Sequence, residues 1–274
     1  MTDFRALHRP GTPLLLPNAW DVASALALAE AGFAAIGTTS LGLAAAAGLP
    51  DGEGYGRAET LALVRALRGR LGVPLTVDIE AGFGGGPAEV AELAAALADA
   101  GAAGINIEDG RPGGTLAPIQ AQAELIAAIR GRVPTLFINA RTDTHWLPAP
   151  SSAAPASAAP ASAAADLGET LARAEAYLEA GADGIFVPAV ADDEEIRVLV
   201  GELAVPLNVL LLPGMSMARL AGLGVARVST GSLLFRAALA AAVDTAGAVA
   251  AGGPAPAARL SYARVNALAG AKLQ

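Results

Sequence analysis

There is no cysteine in this 274-residue chain, and that absence removes disulfides, thiolate metal sites and any cysteine nucleophile or acid. Lysine is almost missing too: Lys272 stands alone, and the arginines are scattered through a chain of net charge −8. With no basic stripe to neutralise a phosphate backbone, nucleic acid is not an expected partner. Aromatic residues make up only 4% of the chain, while the 54% that is hydrophobic is largely alanine. No apolar run reaches the roughly 18 residues, free of Gly, Pro and charge, that a membrane span needs. The opening MTDFRALHRPG has neither an apolar signal core nor a small-residue cleavage site behind one, so a cytoplasmic location without membrane contact is expected.

Against those absences stands a recurring unit. A helical stretch ends in Ala-Gly or Leu-Gly, a short apolar run follows, and then a polar cluster: AGFAAIGTTS, AGAAGINIEDG, AGADGIFVPAV and LGVARVSTGS. Gly32, Gly101, Gly181 and Gly224 supply the left-handed residue that stops a helix, and each following run is too short for anything but a buried strand. Between these joints lie LLLP (14–17), PLTVDI (74–79), PTLFINA (134–140) and PLNVLLL (206–212), three of which open with proline, as a strand's first residue tolerates. Eight strands alternating with helices, in a chain close to the about 250 residues of one alpha/beta barrel, predict a single (β/α)8 TIM-type barrel domain over 1–274. An open doubly wound sheet is the alternative.

Residues 232–250 and 259–270 predict two alanine-rich helices beyond the barrel, split by GGPAPA, within a C-terminal region of 232–274. One segment breaks the rhythm. Residues 148–165 carry prolines at 148, 150, 155 and 160 and otherwise only Ala and Ser, which forbids a helix and predicts a disordered low-complexity insertion after the fifth strand.

In a barrel the C-terminal strand ends build the active site. Read in order, those ends hold Asn18 and Asp21, Thr39-Ser40-Leu41, then Asp51, Asp78 and Glu80, Glu108 and Asp109, Arg141 and Asp143, and Asn208. Asp78 and Glu80, two apart on a strand, are expected to share a face beside the strand of Glu108. Carboxylates packed that closely repel unless a cation sits among them, and a hard cation with oxygen ligands, Mg2+ with Mn2+ as the substitute, is the natural occupant. Thr39, Ser40 and Leu41 offer successive backbone N–H groups to a carboxylate or phosphate. Arg141 suits a bidentate grip on an anion, with Thr142 and Asp143 to orient it. The glycine-rich stretch 82–86 lacks the spacing of a dinucleotide fingerprint and precedes Pro87, which opens a helix, so it reads as a tight loop. Asp21 reads as the N-cap of a helix over 22–31, and His145 as either a general acid or a solvated loop residue.

The ordered segments LPNAWDVASA, GTTSLGLAAAAGLPDGE, VDIEAGFGGG, GINIEDG and NARTD resemble the motifs of the isocitrate lyase and phosphoenolpyruvate mutase superfamily. The likeness runs from about residue 4 to the last barrel strand. It implies that Asp78 ligates Mg2+ directly while Asp51, Glu80 and Glu108 hold its waters. It also implies that Thr39, Ser40 and Leu41 bind a substrate carboxylate or phosphoryl group through backbone donors, with Arg141 clamping it; Asn208, from its place among the strand ends, is expected in the same substrate-binding set. Terminal helices exchanged between subunits, in a homodimer or homotetramer, are implied as well.

Departures narrow the chemistry. The isocitrate and 2-methylisocitrate lyases carry a Lys-Lys-Cys-Gly-His type loop where this chain reads RPGGTLAPIQ, and a glutamate where it has Val187-Pro188-Ala189. The mutases use a lysine and an asparagine in that loop, absent between Asp109 and Gln120, and an aspartate where Glu80 stands. The expectation is therefore an Mg2+-dependent carbon–carbon lyase or decarboxylase of a small oxo- or hydroxy-carboxylate, acting through a pyruvate-enolate-like intermediate. A phosphonomutase or hydrolase, and a barrel that binds an oxo-acid without catalysis, are the alternatives.

Overall fold

A computed structural model describes residues 3–147 and 167–270 of the chain; the predicted insertion at 148–165 lies outside the described residues. The strands are β1 (Leu14–Leu16), β2 (Asn18–Ala19), β3 (Ile36–Thr38), β4 (Leu75–Asp78), β5 (Gly104–Glu108), a small hairpin of β6 (Gly110–Arg111) and β7 (Thr115–Leu116), then β8 (Phe137–Arg141), β9 (Gly184–Val187), β10 (Leu207–Leu210) and β11 (Arg227–Ser229). The main sheet runs β1-β11-β10-β9-β8-β5-β4-β3-β2. Its pairings are all parallel.

Strands β1 and β2 are two halves of one segment broken at Pro17, which has no N–H for a ladder. The first half pairs with β11 and the second with β3, so nine strands fill eight positions and the ring closes. Asn18 fastens that seam. Its Nδ2 donates to Thr38 O (2.7 Å), and its Oδ1 accepts from the backbone of Thr230 and Gly231 (3.0 Å each). A Cβ on Gly37 would lie 2.7 Å from that Nδ2, which explains the glycine.

Helices α1 (Val22–Glu30), α2 (Ser40–Ala46), α3 (Arg57–Leu67), α4 (Pro87–Asp99), α5 (Ile119–Arg132), α6 (Leu167–Glu179), α7 (Asp193–Glu202) and α8 (Met217–Gly222) connect the strands. Local chemistry sets their ends. Asp21 caps α1 reciprocally with Ser24, Pro87 opens α4, and the four helix-stopping glycines take φ of 86° to 106°. Outward-facing strand residues such as Val77, Ile105, Ile107, Ile138 and Val209 are fully buried with helix residues Leu93, Leu97, Ile126 and Ile129 in one core. Each such side chain contributes about 1.5–3 kcal/mol of burial.

The barrel's N-terminal end is plugged by aromatics. His8 stacks on Phe137 with centroids 4.4 Å apart, and Phe4 meets both rings edge-on. Beyond the barrel come α9 (Leu233–Ala250) and α10 (Tyr262–Gly270), close to the predicted helices. Helix α10 packs on α1, where Arg264 bonds Glu30. Helix α9 buries only Phe235 and leaves Leu239, Val243 and Val249 exposed. Its 18 residues, of mean hydropathy 1.5, satisfy the length and composition of a membrane span, although Arg236, Asp244 and Gly247 interrupt the run.

Candidate active site

Strand register decides which residues look into the barrel. The Cα pairs Asp78↔Asn106, Asn106↔Asn139, Glu108↔Arg141, Arg141↔Phe186 and Asn208↔Arg227 lie on inward-facing positions, and Asp78, Glu108 and Arg141 end their strands at the C-terminal mouth. The predicted acids therefore gather at one opening. Glu80 reaches it by a different route from the one its spacing suggests. Strand β4 ends at Asp78, and Glu80 sits in the following turn at φ 49°, a left-handed conformation that costs a non-glycine residue of order 1 kcal/mol or more. That turn requires Gly82, whose added Cβ would lie 2.5 Å from Val90. The alternation argument for Asp78 and Glu80 thus fails even though both residues arrive at the mouth.

Among the described residues Glu80, Asp78 and Asp51 meet neutral donors, whereas Glu108 is paired with Arg141. Glu80 Oε2 accepts from Gly54 N (3.1 Å), and Asp78 Oδ1 receives the Glu80 amide (3.3 Å). The Ser40 side chain and the Gly52 amide oppose the rise of Asp51. Burial, reinforced by Asp78 and Asp51, pushes Glu80 up to about 7. Asp51 is raised by desolvation of its carboxyl and by the Asp78 charge, although the residue as a whole is exposed. Glu108 is raised well above the usual carboxylate range, chiefly by burial, with Arg141 opposing. A set of hard oxygen donors driven toward protonation by burial and mutual repulsion is one that a divalent cation would relieve, so these residues fit Mg2+. Among the described residues no three His, Asp or Glu side chains converge as joint direct ligands.

Arg141 is more committed than its sequence context suggests. Its Nε and Nη2 pair with the two oxygens of Asp143 (2.6 and 3.1 Å), and Nη1 pairs with Glu108 (2.7 Å). Its guanidinium carbon lies 5.7 Å from the centre of the Trp146 ring and 5.8 Å from that of Phe186, a cation–π position between two aromatics. Asp143 in turn is fixed through its amide by Asp109, whose other oxygen accepts from Tyr177 Oη (2.8 Å) and Arg173 Nη1 (3.2 Å). Asp109 and Tyr177 are fully buried. This supporting chain went unread in the sequence, where the one available signal was the Glu-Asp pair itself.

The remaining candidates divide. Ser40 and Leu41 occupy the first turn of α2, where amides have no helical acceptor, but the Thr39 amide already donates to Ala19 O (3.0 Å) and is not available to a ligand. Asn208 does not reach the mouth. It is the second residue of β10, 1% exposed, bonded to Ser229 inside the barrel; its neighbour run LNVL continues two residues past it. Thr142 turns its hydroxyl to a buried site without a partner and does not orient Arg141. His145 is neither solvated nor aimed at the acids; its ring lies 3.2 Å from Thr144 and 3.4 Å from Glu195 of α7. A cleft of about 270 Å³, lined by Phe4, Arg5 and Phe137 among others, opens at the opposite end from the acid cluster.

Comparison with known proteins bears on this mouth. Residues 4–250 match the phosphoenolpyruvate phosphomutase family model. An uncharacterized protein of Mycobacterium tuberculosis is 44% identical over 246 residues, covering 90% of this chain and 88% of that one. The 2-methylisocitrate lyase of Bacillus subtilis is 34% identical over 74% of this chain and 64% of its own length. Among solved structures, a phosphonopyruvate hydrolase complexed with oxalate and Mg2+ superposes with a TM-score of 0.81 at 26% identity, covering 98% and 94% of the two chains. A phosphoenolpyruvate phosphomutase from Streptomyces platensis gives 0.77 at 26% identity, over 92% and 88%.

Proposed function

This chain belongs to the phosphoenolpyruvate mutase family of the isocitrate lyase and phosphoenolpyruvate mutase superfamily, and on that footing we propose that it is an Mg2+-dependent carbon–carbon lyase or decarboxylase of a small oxo- or hydroxy-carboxylate. The observation that carries this reading is the gathering of Asp78, Glu108 and Arg141 at the strand ends with Glu80 in the turn after β4, a field built for an anion that gains charge as it reacts. Asp78 would be the direct protein ligand of the cation, with Asp51, Glu80 and Glu108 holding its waters. When bound, the cation supplies Lewis-acid polarisation of the substrate's oxo group. Arg141 keeps two of its five N–H groups outside its pairs with Asp143 and Glu108, and these would be the donors it offers to an anionic substrate. The Ser40 and Leu41 amides receive the other carboxylate end. Asp109, by bonding the Asp143 amide, keeps the Arg141 fork in place.

The test is a panel of oxaloacetate-like and alkylmalate-like acids incubated with purified protein and Mg2+ or Mn2+, with release of pyruvate or a related oxo-acid as the readout. Turnover that stops on chelation is expected; tight oxalate binding with no turnover across the panel would instead favour an oxo-acid-binding barrel. A phosphonomutase or hydrolase is the second reading. It is favoured by the structural likeness to a phosphonopyruvate hydrolase and opposed by the absence of lysine and asparagine between Asp109 and Gln120. Phosphorus NMR of phosphoenolpyruvate and phosphonopyruvate separates the two, since a lyase leaves C–P and P–O bonds untouched.

The apolar stripe of α9 supports a second copy of this chain as its cover, in a homodimer or homotetramer. Light scattering of the wild type against Val243→Asp checks it, the variant being expected to shift toward monomer.

A further inference from the structure

The barrel interior directly beneath the mouth holds a cation that no ion pair explains. Arg227 on β11 is 0% exposed and is the largest fully buried side chain of the described residues. Its register partners, Asn208 on β10 and Leu14 on β1, place it in the inward-facing row, and its side chain crosses the barrel to β5, where Nη2 donates to Asn106 Oδ1 (3.1 Å). That oxygen also accepts from Asn139 Nδ2 (2.9 Å), so it is a neutral acceptor shared by two donors. Arg227 Nε and Nη1 have no partner, and among the described residues no carboxylate lies within ion-pair distance. Its register partner Asn208 likewise has Nδ2 unpartnered among the described residues.

A charge buried with one neutral hydrogen bond costs several kcal/mol unless a field of opposite sign surrounds it. Here that field comes from above. Asn106 is the register partner of Asp78, and the Asp78 charge is the attraction that opposes the lowering of Arg227 by burial, to about 9. From below, His8 at the barrel floor is depressed in part by the Arg227 charge. The mouth, for its part, is short of cations: Asp51, Asp78, Glu80, Glu108 and Asp143 share Arg141. The excess negative charge and the unpaired arginine lie in adjacent rows of one barrel.

We propose that Arg227 is a built-in counter-cation for the acid cluster, holding the mouth together without metal and opposing the entry of a divalent ion, so that the ion binds loosely enough to exchange. This rests on reading the mouth as a divalent-cation site. Arg227 is a positioning and field residue, since Asn106 and not a ligand is what it touches.

The experiment is Mn2+ titration of the full-length protein by calorimetry, with thermal unfolding measured in chelator and in saturating Mn2+. Arg227→Met, which keeps the stem and removes the charge, is expected to bind Mn2+ roughly tenfold tighter, the scale of a charge–charge interaction partly screened by protein. Its metal-free form should lose more melting temperature than its Mn2+-saturated form. Arg227→Lys, which keeps the charge, should bind within about twofold of wild type. Equal affinity in Arg227→Met and wild type overturns the proposal, as does tightening in Arg227→Lys matching that in Arg227→Met. If Arg227→Met and Arg227→Gln fail to fold in chelator, Mn2+ should rescue them; failure with saturating Mn2+ also overturns it. No Mn2+ binding by the wild type would sink the metal reading itself, an outcome distinct from unchanged affinity in the variants.

Discussion

The two ends of this barrel handle buried charge in opposite ways. At the floor, the carboxylate of Asp183, just ahead of β9, is met by Arg5, by Arg130 (2.5 Å) and by the Ile138 amide (2.8 Å), under an aromatic plug of Phe4, His8 and Phe137. At the mouth one guanidinium, Arg141, serves Glu108 and Asp143, and among the described residues Glu80 and Asp51 have neutral donors alone and are both pushed toward protonation. Paired and packed groups contribute to stability, whereas crowded, half-satisfied ones cost it and are retained where a ligand completes them. The contrast separates the residues that hold the fold from those that work.

The sharpest way to break that contrast is to damage each end and ask which property falls. Asp78→Ala at the mouth should lower turnover by about a thousandfold or more, because the ligand that positions the cation is gone, while urea unfolding of the metal-free protein stays within about 1 kcal/mol of wild type, relief of crowding among the acids offsetting the charge that Arg227 loses. A loss of stability there, with activity kept, would invert the assignment. Phe137→Ala at the floor should do the reverse, costing about 3–5 kcal/mol in urea unfolding of a side chain that is 2% exposed, with the activity of the remaining folded protein near wild type.

The smallest effect concerns acid. His8 titrates at about 4 in the folded chain, chiefly because it is buried, against 6.5 when unfolded. Between those values the unfolded chain takes up a proton that the folded one refuses. The stability His8 permits is therefore complete above pH 6.5 and falls as pH drops toward 4, by about 2 kcal/mol at pH 5. His8→Phe, which preserves the stacking on Phe137, should flatten that part of the urea-midpoint profile between pH 7 and 5. An unchanged profile would show that the floor does not carry this sensitivity.

Much of the architecture was legible because its signals are local. Gly32, Gly101, Gly181 and Gly224 terminate helices by backbone conformation alone, Pro87 opens one, and proline-led apolar runs mark strands. The mouth acids were legible because strand ends follow from strand positions. What escaped depends on long-range geometry. Alternation gave no hint that the chain leaves β4 at Asp78 and turns Glu80 through a left-handed kink. Nor did an asparagine in an apolar run reveal its depth, so Asn208 was read as a strand end when it lies beneath the mouth. The polar interior row carried an unused clue: Thr76, Asn106 and Asn139 each stand two residues before Asp78, Glu108 and Arg141, hence on the same face one row lower. Arg227, an arginine at the head of a short apolar strand, had no such companion to mark it.

The seam at Pro17 and Asn18 also fixes an order of events during synthesis. The strand that closes the ring is made first, yet its partners on the far side, Arg227 to Ser229, and the Thr230 and Gly231 amides that Asn18 holds, are 212 or more residues away. A nascent chain on the ribosome therefore carries β1 as an unpaired edge through most of its translation, and the circle is completed only after Gly231 has left the exit tunnel.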